Sequence, residues 1–325
     1  MNLDEPIRKT DRVATTQLLR VAVTAAILAY LFNAVSAQEV FGVLQRAEYS
    51  WLIVAFLLAM LVQVVSAIRL KMITDAHSLG LTTFGALEIN LVTRFYSLFL
   101  PGGSVTATAV RVFKLLQVRP HYAGAITAVV FDRLVATLVM CVIGIVFWLL
   151  AWTPGQVGWL IMMTIALLWL VAPFVWLYAW PSDPAKLPQC QGPLLREWFR
   201  PISMTVSEVR KIPSWNLAWI LGWSILAHLV GIAEYLACTQ SLDMDVEYFV
   251  LGWIRSAMLL TSLIPVSLSG LGLREGAALL VLPVYGVGPD VALGYSLLVF
   301  AVSNVAVGLC GGLLEVGQVL SSRRA

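Results

Sequence analysis

Charge is scarce in this chain. Acidic and basic residues together make up 12% of its 325 residues, where a soluble domain carries about 25%. Apolar residues reach 60% and the mean hydropathy is +0.87, which excludes an ordinary soluble domain. Cysteine is sparse: Cys141, Cys190, Cys238 and Cys310 stand far apart, with no CxxC pair, and suit packing positions better than a disulfide framework. His77, His121 and His228 are isolated in the sequence and suggest no metal site. HExxH, GxxxxGK[ST] and GxSxG are missing. Without a nucleotide motif, any transport is expected to be downhill or ion-coupled, and no cofactor is implied. The formal charge of +3 is too small to argue for nucleic acid.

What is abundant is long apolar runs, and about 20 residues suffice to cross a bilayer. The runs predict spans at Leu18–Ala37, Ser50–Ile68, Tyr122–Leu150, Val157–Trp180, Trp215–Ala237 and Val291–Val319. No cleavage site follows the first run, so it reads as a span rather than a signal peptide. The polar ends are a tail at 1–17, a loop at 181–213 and a tail at 321–325. The loop contains LLREWFRPISMTVSEV, an interfacial helix or a solvated loop. Basic residues fall in the tails and in the segments 69–78, 111–121 and 181–213, whereas the alternate loops contain only Arg46. That asymmetry predicts both termini in the cytoplasm.

Two further apolar stretches are interrupted. Leu79–Leu100 stops at Pro101, Gly102 and Gly103 and resumes to Leu116; Tyr248–Ile264 stops at Pro265 and resumes at Leu271 after Ser-Leu-Ser-Gly. Proline removes a backbone donor and glycine frees the dihedrals, so each is expected to be a broken helix. The first is a re-entrant hairpin or a full span followed by a surface helix. With the second also re-entrant, residues 18–150 and 157–320 form a 3+3 inverted repeat within a single transmembrane domain. The expected fold is therefore all-α and polytopic, with six spans and two re-entrant hairpins.

Charges at membrane depth are costly and face protein or water. Here they are Glu88, Arg94, Asp132, Arg133, Glu234, Arg255, Arg274, Glu275 and Glu315. Arg94 and Arg111 flank the first break, and Arg255 and Arg274 flank the second. Helix ends opened at a break favour anions, and guanidinium forks fit phosphoryl oxygens. Arg94, Arg111, Arg255 and Arg274 are thus candidate phosphate ligands, with Asp132 and Glu275 positioning them. Pro101, Gly102, Gly103, Pro265, Gly270 and Gly272 would permit close backbone approach. The structural alternative is that Asp132–Arg133, Arg274–Glu275 and Glu88–Arg94 are internal pairs that hold helices together.

The segment FLPGGSVTATAVRVFKL, followed by Asp132-Arg133 early in the next span, resembles the lysylphosphatidylglycerol synthase transmembrane-region family. IPVSLSGLGLREGAALLVLPVYGV resembles it too, with Gly270, Gly272, Arg274 and Glu275 in its glycine-rich, Arg-Glu-bearing motif. The resemblance spans roughly residues 15–320 and adds Arg111, Asp132 and Arg133 to the candidate set. It departs at Pro265, which lies five residues before Gly270. Members are polytopic inner-membrane proteins. In the best-known relatives this unit moves an aminoacylated phospholipid between leaflets and is followed by a soluble synthase domain. No such domain precedes Ala325, so aminoacyl transfer is not expected. Stand-alone relatives are linked to glycolipid, polyprenyl-phosphate-sugar or hopanoid pathways.

Together these readings predict a transporter rather than an enzyme, which flips a phospholipid or a polyprenyl-phosphate-linked sugar across the inner membrane. Two alternatives stay open. One is a membrane enzyme acting on a lipid-linked phosphate, with Glu88, Asp132 or Glu275 as base. The other is a non-transporting partner of a lipid-glycan synthesis enzyme, docked through 181–213.

Overall fold

The computed structural model describes residues 35–99, 104–151, 161, 164, 212–262 and 271–322. The amino-terminal tail, most of the first and fourth expected spans, the loop 181–213 up to residue 211, and both breaks (100–103 and 263–270) lie outside the described residues. So do Pro101, Gly102, Gly103, Pro265 and Gly270.

Every regular element among the described residues is helical. A short α1 (Ala37–Gln45) precedes α2 (Tyr49–Ala76), α3 (Thr83–Phe99), α4 (Ser104–Val118) and α5 (Tyr122–Ala151). Then come α6 (Ser214–Ser241), α7 (Tyr248–Ser262) and α8 (Leu273–Val281), the last running into a 3-10 turn, Leu282–Tyr285. Finally α9 (Pro289–Phe300) passes through a π-helical segment, Ala301–Ala306, into α10 (Val307–Ser322). Among the described residues, four units are long and apolar enough to cross a membrane: α2, α5, α6 and the continuous Pro289–Gln318. At about 1.5 Å per residue, the 28 residues of α2 or α6 exceed the hydrocarbon thickness. Leu57, Leu61, Val146, Leu149 and Leu313 are exposed along them, as a hydrocarbon solvent allows. Trp51 and Trp215 lie exposed in the first turns of α2 and α6, where interfacial indoles belong.

Two boundaries differ from the sequence expectation. Helix α2 continues eight residues past Ile68 to Ala76, because Lys71 pairs with Asp75 one turn on and Arg69 turns inward to a buried carboxylate. Residues 111–118 are likewise helical, at the end of α4. Arg69 and Arg111 are both buried, so neither is a loop charge and neither counts toward the orientation bias. The remaining basic residues of those segments still do.

Two stretches of the chain share a register. A shift of 165 residues carries Tyr49 onto Ser214, Ala76 onto Ser241, and Thr83 onto Tyr248, so that α2 maps onto α6 and the start of α3 onto the start of α7. Both long helices end in the same Schellman motif. In α2, Ser78 is left-handed (φ 54°) and the Ser78 and Leu79 amides donate to Asp75 and Thr74. In α6, Asp243 is left-handed (φ 53°) and the Asp243 and Met244 amides donate to Gln240 and Thr239. The apolar residue that closes each motif, Leu79 or Met244, is buried.

Helices α2 and α6 pack together antiparallel. The Glu48 amide, just before α2, donates to the Ser241 carbonyl at the end of α6, while Arg69 late in α2 reaches Ser224 early in α6. Helix α3 lies against α4 and α10, and α7 lies against α8 and α5. Glycine makes both outer seams close: a Cβ on Gly311 of α10 would meet the Leu91 carbonyl oxygen of α3 at 2.1 Å, and one on Gly252 of α7 would meet Phe147 of α5 at 1.9 Å. With lipid as apolar as leucine, such close packing replaces the hydrophobic effect as the adhesive.

Candidate functional site

The interior between these helices holds two clusters of charge. The first is centred on Asp132 of α5, whose residue is 2% exposed. Its Oδ1 accepts from Arg69 Nε at 2.8 Å and its Oδ2 from Arg111 Nη1 at 2.8 Å. Arg111 Nη2 donates to Asn90 Oδ1 of α3 at 2.6 Å, and Arg69 Nη1 to Ser224 Oγ of α6 at 3.2 Å. One carboxylate therefore ties α2, α3, α4, α5 and α6 together. Two arginines share it, so the cluster keeps a positive excess.

The second cluster forms where α3, α6, α7 and α8 meet the π-helical segment. Arg94 Nη1 of α3 donates to Asn304 Oδ1 at 3.0 Å. Ser303, the preceding residue, donates its hydroxyl to Glu234 Oε1 of α6. Arg255 of α7 donates from Nη1 to His228 Nδ1 at 3.0 Å and lies over the Tyr235 ring, 5.3 Å from its centroid. His228 Nε2 is 2.9 Å from the Ala136 carbonyl of α5, which requires the neutral imidazole protonated on Nε2. Gly231, one turn before Tyr235, leaves the space that the Arg255 guanidinium fills: a Cβ there would stand 2.2 Å from Nη2.

Arg274 of α8 donates from Nη2 to the Ser296 carbonyl at 3.1 Å and lies over Phe300, 5.2 Å from the ring centroid. Its carboxylate neighbour, Glu275, is 3.5 Å away and is largely occupied at its own helix start. There Glu275 Oε2 accepts the Gly272 amide at 2.6 Å. Gly272 has φ 89°, a conformation that a side chain would strain. The Asp132 and Glu275 carboxylates thus hold neighbouring groups in place, one across five helices and the other at its own helix start and, through Oε1, at the Ser296 hydroxyl of α9, which donates to it at 3.4 Å.

Arg133 stands between the clusters, in electrostatic reach of Arg69, Arg94, Arg111 and Asp132. Its Nε is buried without a hydrogen-bond partner among the described residues, as are the Nε atoms of Arg111, Arg255 and Arg274. Glu234 feels Arg94, Arg255 and Arg274 together, yet among the described residues none of these pairs with it within 4 Å. The Glu88–Arg94 pair, one of the structural alternatives, is not formed among the described residues. Glu88 is partly exposed, and Arg94 turns instead to Asn304. Altogether Arg69, Arg94, Arg111, Arg133, Arg255 and Arg274 face Asp132, Glu234 and Glu275, six guanidiniums against three carboxylates. Such an excess in low dielectric calls for an anion.

Arg69, His228, Ser303 and Asn304 stand outside the candidate ligands of the sequence, and Glu234 figures there only among the charges at membrane depth. In the sequence Arg69 reads as a loop charge, because it ends an apolar run beside Lys71. Glu234 is the lone acid in the apolar run Trp215–Ala237, and Ser303-Asn304 the polar pair inside Val291–Val319. Those signals were legible. That His228 bridges α5 to α7 was not, since nothing in the sequence sets Ala136 beside it.

A family model described as the lysylphosphatidylglycerol synthase TM region matches residues 17–311. No curated protein matches the chain.

Proposed function

From its membership of the lysylphosphatidylglycerol synthase transmembrane-region family, to which this chain belongs, and from its interior arginines, we propose that the protein moves a lipid with a phosphate-containing head group across the bilayer. The family links the chain to membrane lipid modification or translocation; flipping is the finer reading. The observation that carries it is the excess of guanidinium groups at membrane depth, several with unused donors. Isolated charges there are expensive and are retained where they serve a pathway. A planar fork of donors suits phosphoryl oxygens. Arg94, Arg255 and Arg274 would contact the phosphate, with Arg133 at its approach. Arg111, held by Asp132 and Asn90, would contribute field more than contact. The acyl chains would remain in hydrocarbon, at a lateral opening.

The architecture that would serve this is a 3+3 inverted repeat with two re-entrant hairpins and six spans. The 165-residue register, the matching Schellman ends and the antiparallel α2–α6 pair support it. So does the exchange of outer contacts, α3 on α10 and α7 on α5. In such a layout the site stays fixed near the midplane while one repeat rocks against the other. The protein would reside in the inner membrane with both termini in the cytoplasm.

The test is leaflet translocation in reconstituted liposomes, with labelled anionic phospholipids and polyprenyl-phosphate sugars, comparing the native protein with Arg274→Ala. Movement of one lipid class, reduced at least about tenfold in the variant, is the expected result. A folded native protein that moves none of them would sink the transport reading.

A further inference from the structure

Glu234 has no role in the reading above, and its surroundings are unusual. It is 3% exposed, late in α6. The 165-residue register carries Arg69 onto it, so one half places a cation where the other places an anion. Arg69 is locked to Asp132, whereas among the described residues the one hydrogen bond to Glu234 comes from Ser303. Ser303 belongs to a π-helical segment, a local widening of the helix that recurs at functional sites. The next residue, Asn304, holds Arg94, and the preceding turn, Ser296 and Phe300, holds Arg274. The residue after Glu234, Tyr235, supports Arg255. Each candidate phosphate ligand is thus anchored within a few residues of Glu234 or of its serine.

We propose that Glu234 is the internal counter-anion of the empty head-group site, and that a lipid phosphate displaces its charge by driving it to bind a proton. The inference rests on the phosphate reading and names the coupling ion. Without substrate, the Glu234 carboxylate offsets part of the charge of Arg94, Arg255 and Arg274 through space. When a phosphodiester forks onto those guanidiniums, its own negative charge takes over that role at hydrogen-bond distance. The carboxylate then faces a second anion in a buried site while the guanidiniums are engaged by the phosphate, and repulsion between like charges in low dielectric favours the neutral acid. Glu234 takes a proton from water and becomes the neutral acid, keeping its hydrogen bond with Ser303. Release of the lipid returns the proton, so one proton travels with each head group bound.

The groups that face Glu234 are those this exchange requires. Arg94 comes from α3, Arg255 from α7, Arg274 from α8 and Ser303 from the π-helical segment. Tyr295 of α9 and Tyr235 and Cys238 of α6 are also in reach. Helices α2 and α5 bring Arg69, Asp132 and Arg133, which act on one another in the first cluster.

The experiment is calorimetric titration of the full chain in detergent with short-chain phosphatidylglycerol, whose phosphodiester does not titrate between pH 5 and 8. Two buffers of different ionisation enthalpy report the protons taken up. Dimethyl phosphate serves as the arm without acyl chains. The expected result is uptake of about one proton per anion and an affinity that rises up to about tenfold per unit fall in pH. Glu234→Gln should bind without proton uptake and with no pH dependence. Ser303→Ala, which removes a hydrogen bond favouring the charged form, should move the pH midpoint of binding upward. Binding of dimethyl phosphate with the same uptake would assign the coupling to any phosphodiester, and binding of the lipid alone to the head group with its chains. Either supports the exchange. Binding without proton uptake, uptake that persists in Glu234→Gln, or a midpoint unmoved in Ser303→Ala overturns this inference while leaving the phosphate site intact. No binding of any anion by the native protein at any pH overturns the phosphate reading itself.

Discussion

At the residue scale the two carboxylates Asp132 and Glu234 sit in similar helices but carry different burdens. Both Asp132 oxygens are spent on guanidiniums from separate helices. Its removal would leave Arg69 and Arg111 buried without a counter-charge, a loss of about 3–5 kcal/mol. Asp132→Asn is therefore expected to lower the thermal unfolding midpoint in detergent strongly, before any question of transport arises. A midpoint within a degree or two of the native value would show that Asp132 does not hold the fold. Gly231→Ala makes the opposite case. The added methyl strikes the mobile end of Arg255 rather than backbone, so stability should change little while anion binding falls about tenfold. Calorimetry with short-chain phosphatidylglycerol reads the binding and a thermal melt the stability, and unchanged binding would remove Arg255 from the site.

Among the elements, the α3–α10 seam depends on close backbone contact. Gly308, Gly311 and Gly312 each leave room that α3 fills, but only at Gly311 is the nearest neighbour backbone, the Leu91 carbonyl. Gly311→Ala must push the helices apart, at about 1–3 kcal/mol by the usual cost of overpacking. Gly222→Ala in α6, where nothing lies within 4 Å, is the matched control and should be neutral. Equal melting curves for the two variants would contradict the packing described. Helix α10 is also clasped to the first half by Lys114, which donates to Glu315 Oε2 at 2.6 Å, and by Tyr96, whose hydroxyl donates to Oε1 at 3.2 Å.

For the whole molecule the prediction concerns sidedness. Thr82 and Asp245 are both exposed and follow the equivalent helices α2 and α6. Because those helices are antiparallel, the two positions belong to opposite faces. With the native cysteines replaced, Thr82→Cys should resist a membrane-impermeant maleimide added to intact cells, and Asp245→Cys should react. Reaction of both from one side would break the inverted repeat, and the reverse pattern would invert the orientation drawn from basic residues.

Much of the architecture follows from composition and pattern, because hydrocarbon imposes the same demand on every segment. Runs of about 20 apolar residues must be helices, and Tyr122–Leu150 and Trp215–Ala237 were legible as such. The arginines near Pro101 and Pro265 were legible as well, since a charge in an apolar run is conspicuous. Which acid meets which arginine was not. Asp132 finds Arg69 across 63 residues, Arg94 finds Asn304 across 210, and the adjacent residues Asp132 and Arg133 do not pair. Neighbours on a helix diverge by about 100°, so sequence proximity says little about partners there. The pairing was decided by α2 packing antiparallel on α6 and by α3 closing on α10, long-range contacts that no local pattern encodes.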